Sequence, residues 1–162
     1  MPSASPAPGL RLLSLWRRLA PLPGGRWLFS RILGWMVPYS GSIHPRIEQL
    51  EPGDVRLRFR DRRGLRNHLH SVHAIALANG AELASGLAMI TALPPDVRGI
   101  VVRITVRYPK KARGTLAAAA RCTVPPIRGA EEHEFESTVT DAAGDVVAQA
   151  TVRWRLAPVP PA

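Results

Sequence analysis

The segment from Ser71 to Pro95 constrains the fold most strongly. Its only ionisable residues are His73 and Glu82, and most of its apolar positions are alanine. This pattern predicts one long helix over residues 73–92, ended by Pro94 and the proline after it. Because a carboxylate at the centre of a bilayer costs at least ~2.5 kcal/mol, we expect the core helix of a soluble domain and not a membrane span.

The same helix carries little side-chain bulk and includes Gly80 and Gly86. A glycine inside a helix costs about 0.5–1 kcal/mol relative to alanine. Two such positions indicate that another element approaches the helix too closely for a side chain. A general drift of the composition toward alanine and glycine is the alternative explanation.

Alternating apolar and polar residues predict strands on both sides of this helix. Val55, Leu57 and Phe59 alternate with arginines, and residues 43–50 form a candidate first strand. Further alternation predicts three or four strands after the helix, within residues 100–108, 116–122, 134–139 and 146–154. Residues 141–144 predict a hairpin turn before the last of these. We therefore expect an α+β fold in which a curled antiparallel sheet of about five to six strands wraps one central helix.

An N-terminal extension precedes this domain. Residues 10–20 and 26–37 are apolar with interleaved arginines, and prolines and glycines separate them. They predict two short amphipathic helices with apolar positions Leu12, Leu15, Trp16, Leu19, Leu28, Ile32, Trp35 and Met36. We expect the helices to pack on the domain, with contact of residues 10–37 with a membrane surface as the alternative. A signal peptide is not expected, because the apolar run is interrupted.

The predicted organisation is an extension over 1–42, the domain over 43–157 and a disordered Pro-rich tail over 158–162. Cys122 is the single cysteine, so no internal disulfide forms and a cytoplasmic location is expected. The formal charge of +10 favours anionic partners. No phosphate-cradling loop or dinucleotide motif is present.

One set of spacings resembles a known family. Asn67, then His73-Ala74-Ile75, then Glu82 match the signature of hotdog acyl-CoA thioesterases, in which Asn precedes His-Gly-Gly and an acidic residue follows nine positions after that His. The chain from about residue 24 to Trp154 is similar to the thioesterase-like hotdog superfamily, which includes phenylacetate-pathway-type thioesterases. It most resembles a bacterial hotdog family whose substrates are mostly unassigned.

The resemblance implies a role for each matched residue. Glu82 would be the general base or nucleophile, and Asn67 would position the thioester or the water. The N–H groups of Ala74 and Ile75 would form an oxyanion hole at the helix start. His73 has a counterpart that is usually structural. The CoA nucleotide would contact basic residues, for which the candidates are Arg66, Lys110, Lys111 and Arg113.

Geometry adds an independent expectation. Eight helical residues place Ala74 and Glu82 ~12 Å apart along the axis, so a site that uses both must take them from two subunits. We therefore expect a homodimer or a dimer of dimers. Ala74 and Ile75 replace the two family glycines, and Val101 stands where many of these enzymes have Ser or Thr.

Simpler roles and other functions stay open. Glu82 could be a paired or solvated helix residue, and Asn67 could serve only the loop backbone. His68, His70 and His73 lack a recognised ligand pattern, so no metal is expected. The leading hypothesis is hydrolysis of an acyl-CoA or acyl-carrier-protein thioester, with CoA as part of the substrate and no other cofactor. The alternatives are a non-catalytic acyl-binding hotdog protein and, third, a basic binder of membrane surfaces or nucleic acid, of which nucleic acid is not expected.

Overall fold

The computed structural model describes residues 7–159. Three helices come first: α1 (Pro8–Leu19), α2 (Gly25–Met36) and the one-turn α3 (Pro38–Gly41). Two strands follow, β1 (Arg46–Glu51) and β2 (Asp54–Arg60), then a 3₁₀ turn (Arg63–Leu65) and the long helix α4 (Ala74–Ala92). The chain ends with β3 (Val97–Arg107), β4 (Thr115–Arg121), β5 (Glu131–Thr140) and β6 (Val146–Pro158).

The six strands form one antiparallel sheet in the order β1-β2-β4-β5-β6-β3, and α4 contacts every strand of it. Alternation decides which face of each strand meets the helix. In β2, Val55, Leu57 and Phe59 are buried while the intervening arginines are exposed. The predicted α+β arrangement, with one sheet curled around one helix, is confirmed.

Helix α4 begins directly after His73 and ends at Ala92, as the sequence predicts. It has the length and apolarity of a membrane-spanning helix, but most of it is buried inside the fold. Its two glycines mark close approaches of the sheet. A Cβ on Gly80 would lie 2.6 Å from Cε1 of Phe59, and one on Gly86 would lie 3.2 Å from Cζ2 of Trp154. Close packing therefore explains both glycines.

Helices α1 and α2 pack on the domain. In α1, Leu12, Leu13 and Trp16 are buried, and Gly9 lies so close to α4 that a Cβ there would clash with the carbonyl oxygen of Ile90. In α2, the Ser30 hydroxyl accepts a hydrogen bond from the Ile47 N–H at 2.9 Å, which fastens the helix to β1.

The face that α2 buries differs from the one expected. Phe29 and Leu33 enter the core, whereas Leu28, Trp35 and Met36 are exposed. Periodicity could not decide between the faces, because α2 is apolar on both sides.

At the other end of the chain, β6 continues to Pro158, the first residue of the predicted disordered tail. Pro158 pairs with Val97 of β3, so the strand extends into the first residue of that predicted tail. Residues 160–162 lie outside the described part of the chain. The predicted hairpin turn is confirmed, since Gly144 has a φ of 87° and the Asp141 carboxylate accepts from the N–H groups of Ala143 and Asp145, both at 3.0 Å.

Candidate active site

The loop before α4 is organised by Asn67. Its Oδ1 accepts hydrogen bonds from the N–H of Leu69 at 2.9 Å and from the N–H and hydroxyl of Ser71, both at 3.2 Å. The Asn67 N–H donates to the carbonyl of Ser71 at 2.9 Å. The carboxamide oxygen of Asn67 is therefore used for hydrogen bonds within the loop, and its amide nitrogen is the group that can donate to a ligand.

The start of α4 offers one free N–H group. His73 is the N-cap, and its Nδ1 accepts from the Ile75 N–H at 3.1 Å. Ala74 is the first helical residue, so its N–H has no acceptor within the helix. Of the two predicted oxyanion donors, Ala74 is thus available, while Ile75 already donates to His73.

A cavity of about 310 Å³ lies beside this helix start. It brings together Asn67 and Ala74 from the predicted site with Tyr108 and Lys111 from the segment after β3. The Tyr108 hydroxyl donates to the carbonyl of Ala74 at 3.0 Å, and partial burial raises the pKa of this phenol. Tyr108 is not among the site residues predicted from the sequence. Its place at the end of an alternating strand, just before Pro-Lys-Lys, was the only available signal.

The four predicted phosphate ligands have different surroundings. Arg66 pairs with Asp61 at 2.7 Å, and Arg113 donates through Nε to the carbonyl of His70 at 3.2 Å. Lys110 lies 2.7 Å from Asp141 and 2.5 Å from Asp145, and these hydrogen bonds raise its pKa. Lys111 is exposed and forms no ion pair with a residue in 7–159.

Glu82 occupies a separate place, more than two helical turns along α4. Its Oε1 would lie 3.5 Å from a Cβ on Gly86, which the Trp154 ring also approaches. Burial raises the pKa of the Glu82 carboxyl above its ordinary value. Within residues 7–159 no cation pairs with it, and the Trp154 Nε1 is buried without an acceptor. The structure therefore places a half-buried carboxylate and the Trp154 ring, whose N–H has no acceptor, both close to Gly86.

This second place lies near the free edge of the sheet. Val101 of β3 is paired with Trp154 and lies on the same face of the sheet. Beyond it, β3 has no neighbouring strand and exposes apolar side chains; Ile100 is 65% exposed, and Val102 and Ile104 are exposed as well. A long apolar edge strand is a ready template for pairing with another chain.

Two other sequence features gain no ligand role in the described structure. His68, His70 and His73 are exposed, and no three histidine, cysteine or acidic side chains among residues 7–159 gather as a metal site would require. Cys122 is a free, half-buried thiol whose pKa is raised by burial, which disfavours the reactive thiolate.

Comparison with solved structures defines the class of protein. A structural-genomics target, APC5556, is 28% identical, with a TM-score of 0.79 over 93% of this chain and 99% of its own. PA5026 from Pseudomonas aeruginosa, a protein of unknown function named a probable thioesterase, is 31% identical with a TM-score of 0.72 over 85% of this chain and 97% of its own. A phenylacetic acid degradation-related candidate thioesterase from Ralstonia eutropha shares the fold at 16% identity, with a TM-score of 0.63 over 73% and 89% of the two chains. The chain is a thioesterase-like hotdog protein.

The family follows from a match over most of the sequence. Residues 25–156 match the model of a domain of unknown function, DUF4442, and the chain belongs to that family. None of the curated proteins matches the chain. The match begins at the first residue of α2, so the family domain includes that helix together with the sheet and α4.

Proposed function

We propose that this protein hydrolyses acyl-CoA thioesters at a site shared between two protomers. The observation that carries the proposal is the arrangement of α4. Its first residue, Ala74, offers a free N–H beside a cavity, and the same helix carries the half-buried carboxylate of Glu82. Thioester hydrolysis needs both a donor for the oxyanion and a base for water.

One protomer cannot supply both groups to one substrate. Ala74 and Glu82 are eight residues apart on a continuous helix, which is ~12 Å along the axis. A second protomer that pairs through the β3 edge and aligns its α4 antiparallel would bring its Glu82 toward the first Ala74. A two-fold axis makes this exchange reciprocal, so each dimer has two sites.

The chemistry assigned to each group follows from its surroundings. Water adds to the thioester carbonyl as Glu82 takes its proton, and the oxyanion accepts from the Ala74 N–H, where the helix dipole favours negative charge. Collapse of the resulting tetrahedral intermediate expels the CoA thiolate, which takes the proton back from Glu82, and releases the free acid. A base with a raised pKa suits this task at neutral pH.

The CoA phosphates are assigned to the basic residues around the cavity. Lys111 lines the cavity beside Asn67 and forms no ion pair with a described residue, so it is the first choice. Arg113 donates from Nε to the carbonyl of His70 and from one Nη to the carbonyl of Leu69, and its remaining N–H groups can still bind a phosphate. Lys110 has lower priority, because Asp141 and Asp145 already neutralise it.

The first test is thiol release from short, medium, long and aromatic acyl-CoAs. Glu82→Gln should abolish turnover, whereas the matched control Glu136→Gln, at an exposed position on β5, should leave it unchanged. Normal turnover by Glu82→Gln would contradict the role of this carboxylate.

The second test asks whether the site is shared. Ala74→Pro removes the proposed donor, and the first helical position tolerates proline. His73 already has φ −63° and ψ 140°, the conformation that a residue before proline prefers. Mixed dimers of Glu82→Gln and Ala74→Pro chains would contain one intact site, so two inactive variants should recover about a quarter of wild-type activity on exchange. No recovery in verified mixed dimers would refute the shared site.

A second candidate function has one specific observation in its favour. Ile75 replaces a family glycine at the helix start, its side chain is exposed, and its N–H is taken by His73. This arrangement favours an acyl-CoA binding protein without turnover. Tight binding of a non-hydrolysable thioether analogue, with no thiol release from any thioester, would select this alternative.

A further inference from the structure

Helix α2 is apolar on the side that faces solvent. Its buried side chains are Phe29, Ser30 and Leu33, and the opposite arc of the helix carries Trp27 and Trp35. Trp35 is 83% exposed and Trp27 is 59% exposed. A surface helix normally has a polar outer face, so this face needs a different explanation.

The exposed face continues beyond the helix into one patch. We call it the α2 patch, and it consists of Trp27, Leu28, Trp35, Met36, Val37 and Tyr39, all exposed. Residues 27, 28 and 35 fall within about 100° of one another around the helix axis. Packing inside the described chain does not use this surface, because α2 is fastened by its other face.

Arginines lie next to the α2 patch. Residues 1–47 contain six arginines and no lysine, aspartate or glutamate. Arg31 lies between Trp27 and Trp35 in sequence and lines with them a groove of about 860 Å³ against β1 and β2. The groove also contains Arg46, Arg60 and Arg62. Its acidic residues, Glu48 and Asp61, are paired with other arginines.

Aliphatic and aromatic side chains next to arginines are complementary to an anionic bilayer. Tryptophan and tyrosine prefer the level of the lipid headgroups, and aliphatic side chains such as Leu28, Met36 and Val37 enter the acyl boundary. Arginine side chains attract anionic headgroups. We propose that the α2 patch docks this protein peripherally on an anionic membrane surface.

Two other occupants fit the patch less well. A second copy docking face to face would bring the same arginines together, which is electrostatically unfavourable. A nucleic acid would use the tryptophans for stacking but would leave Leu28, Met36 and Val37 in water. The proposal does not depend on thioester hydrolysis, since the active-site cavity shares no lining residue with the groove.

The experiment is co-sedimentation of the full chain with phosphatidylcholine vesicles, with and without phosphatidylglycerol. We expect binding to the anionic vesicles that weakens in high salt, with a blue shift of tryptophan fluorescence. Arg31→Gln should weaken binding roughly fivefold, whereas Arg128→Gln, in the exposed loop between β4 and β5, should not. The double variant Trp27→Ser with Trp35→Ser should weaken vesicle binding by roughly an order of magnitude or more, because apolar burial is lost.

Several results would overturn the proposal. They are equal binding to neutral and anionic vesicles, equal effects of Arg31→Gln and Arg128→Gln, and full binding by the double tryptophan variant. A lower molar mass of the double variant in light scattering would show that the patch joins copies of the chain. Salt-sensitive binding to single-stranded nucleic acid, but not to vesicles, would assign the patch to that partner. Circular dichroism on each variant confirms that the fold is retained, and Trp35→Ser alone serves if the double variant is unfolded.

Discussion

The contact between Gly80 and Phe59 gives a sharp test of how the sheet packs on α4. A Cβ at position 80 would lie 2.6 Å from Cε1 and 2.9 Å from Cζ of the Phe59 ring. Carbon atoms in favourable contact lie ~3.5–4.0 Å apart, so about 1 Å of movement is required. Phe59 is only 2% exposed. Its rigid ring is enclosed by the core and cannot simply rotate away.

Gly80→Ala therefore sets two effects against each other. Alanine favours the helix by about 0.5–1 kcal/mol, and overpacking in a core costs about 1–3 kcal/mol. We expect a net loss of about 1–2 kcal/mol in the free energy of unfolding. For a chain of this length that corresponds to a fall in Tm of roughly 2–8 °C.

Urea denaturation followed by circular dichroism measures this loss as a lower midpoint at unchanged slope. Phe59→Leu provides the matched background, because it removes the ring that the new methyl group would meet. In that background Gly80→Ala should cost less than in the wild type. A variant more stable than the wild type would refute the close contact, since only the helix preference would then remain.

Three further predictions concern single groups. Because folding raises the pKa of Glu82, its protonated form favours folding, and this contribution is lost as the pH rises through the folded pKa. Glu82→Gln should therefore be more stable than the wild type at pH 7. Denaturation measured across pH should show that this difference in stability closes below the ordinary pKa of the carboxyl group. His73→Ala should lower the free energy of unfolding by about 0.5–1 kcal/mol, because the Ile75 N–H loses its side-chain acceptor. His73→Ser should recover most of this loss, and equal melting temperatures of the wild type and both variants would contradict the capping role of His73. Lys110→Met should raise the pKa of Asp141 toward its ordinary value in an NMR titration, because the hydrogen bond from Lys110 is the main cause that lowers this pKa. An unchanged titration of Asp141 would show that the ion pair is not formed in solution.

The edge position of β3 shows how sequence and tertiary structure divide the information. Alternation in residues 100–108 predicts a strand, and β3 runs over Val97–Arg107. The strand order cannot be read from that pattern, because alternation reports only that the faces differ. In the structure β3 pairs with the final strand, β6, and the other edge of β3 has no neighbouring strand.

The candidate site divides in a similar way. The spacing of Asn67, His73 and Glu82 was visible in the sequence, and so was the ~12 Å separation that a helix imposes. The hydrogen bond from the Tyr108 hydroxyl to the Ala74 carbonyl and the packing of the Trp154 ring against Gly86, near Glu82, join segments that are far apart in the sequence. Such contacts depend on how the sheet curls around α4, and no local pattern encodes that curvature.

Local physical chemistry by itself determined helices α1, α2 and α4, the strands and the hairpin turn. An apolar segment with one internal carboxylate makes α4 a core helix, and arginines alternating with apolar residues assign β2 its wet face. Only the tertiary structure decided which side of α2 is buried. Apolar side chains lie on both sides of that helix, so its 3.6-residue period does not single out one face. The hydrogen bond from the Ile47 N–H to Ser30 and the burial of Phe29 show which side is packed against the sheet. Trp27 and Trp35 remain exposed to solvent because the opposite side of α2 packs against the core.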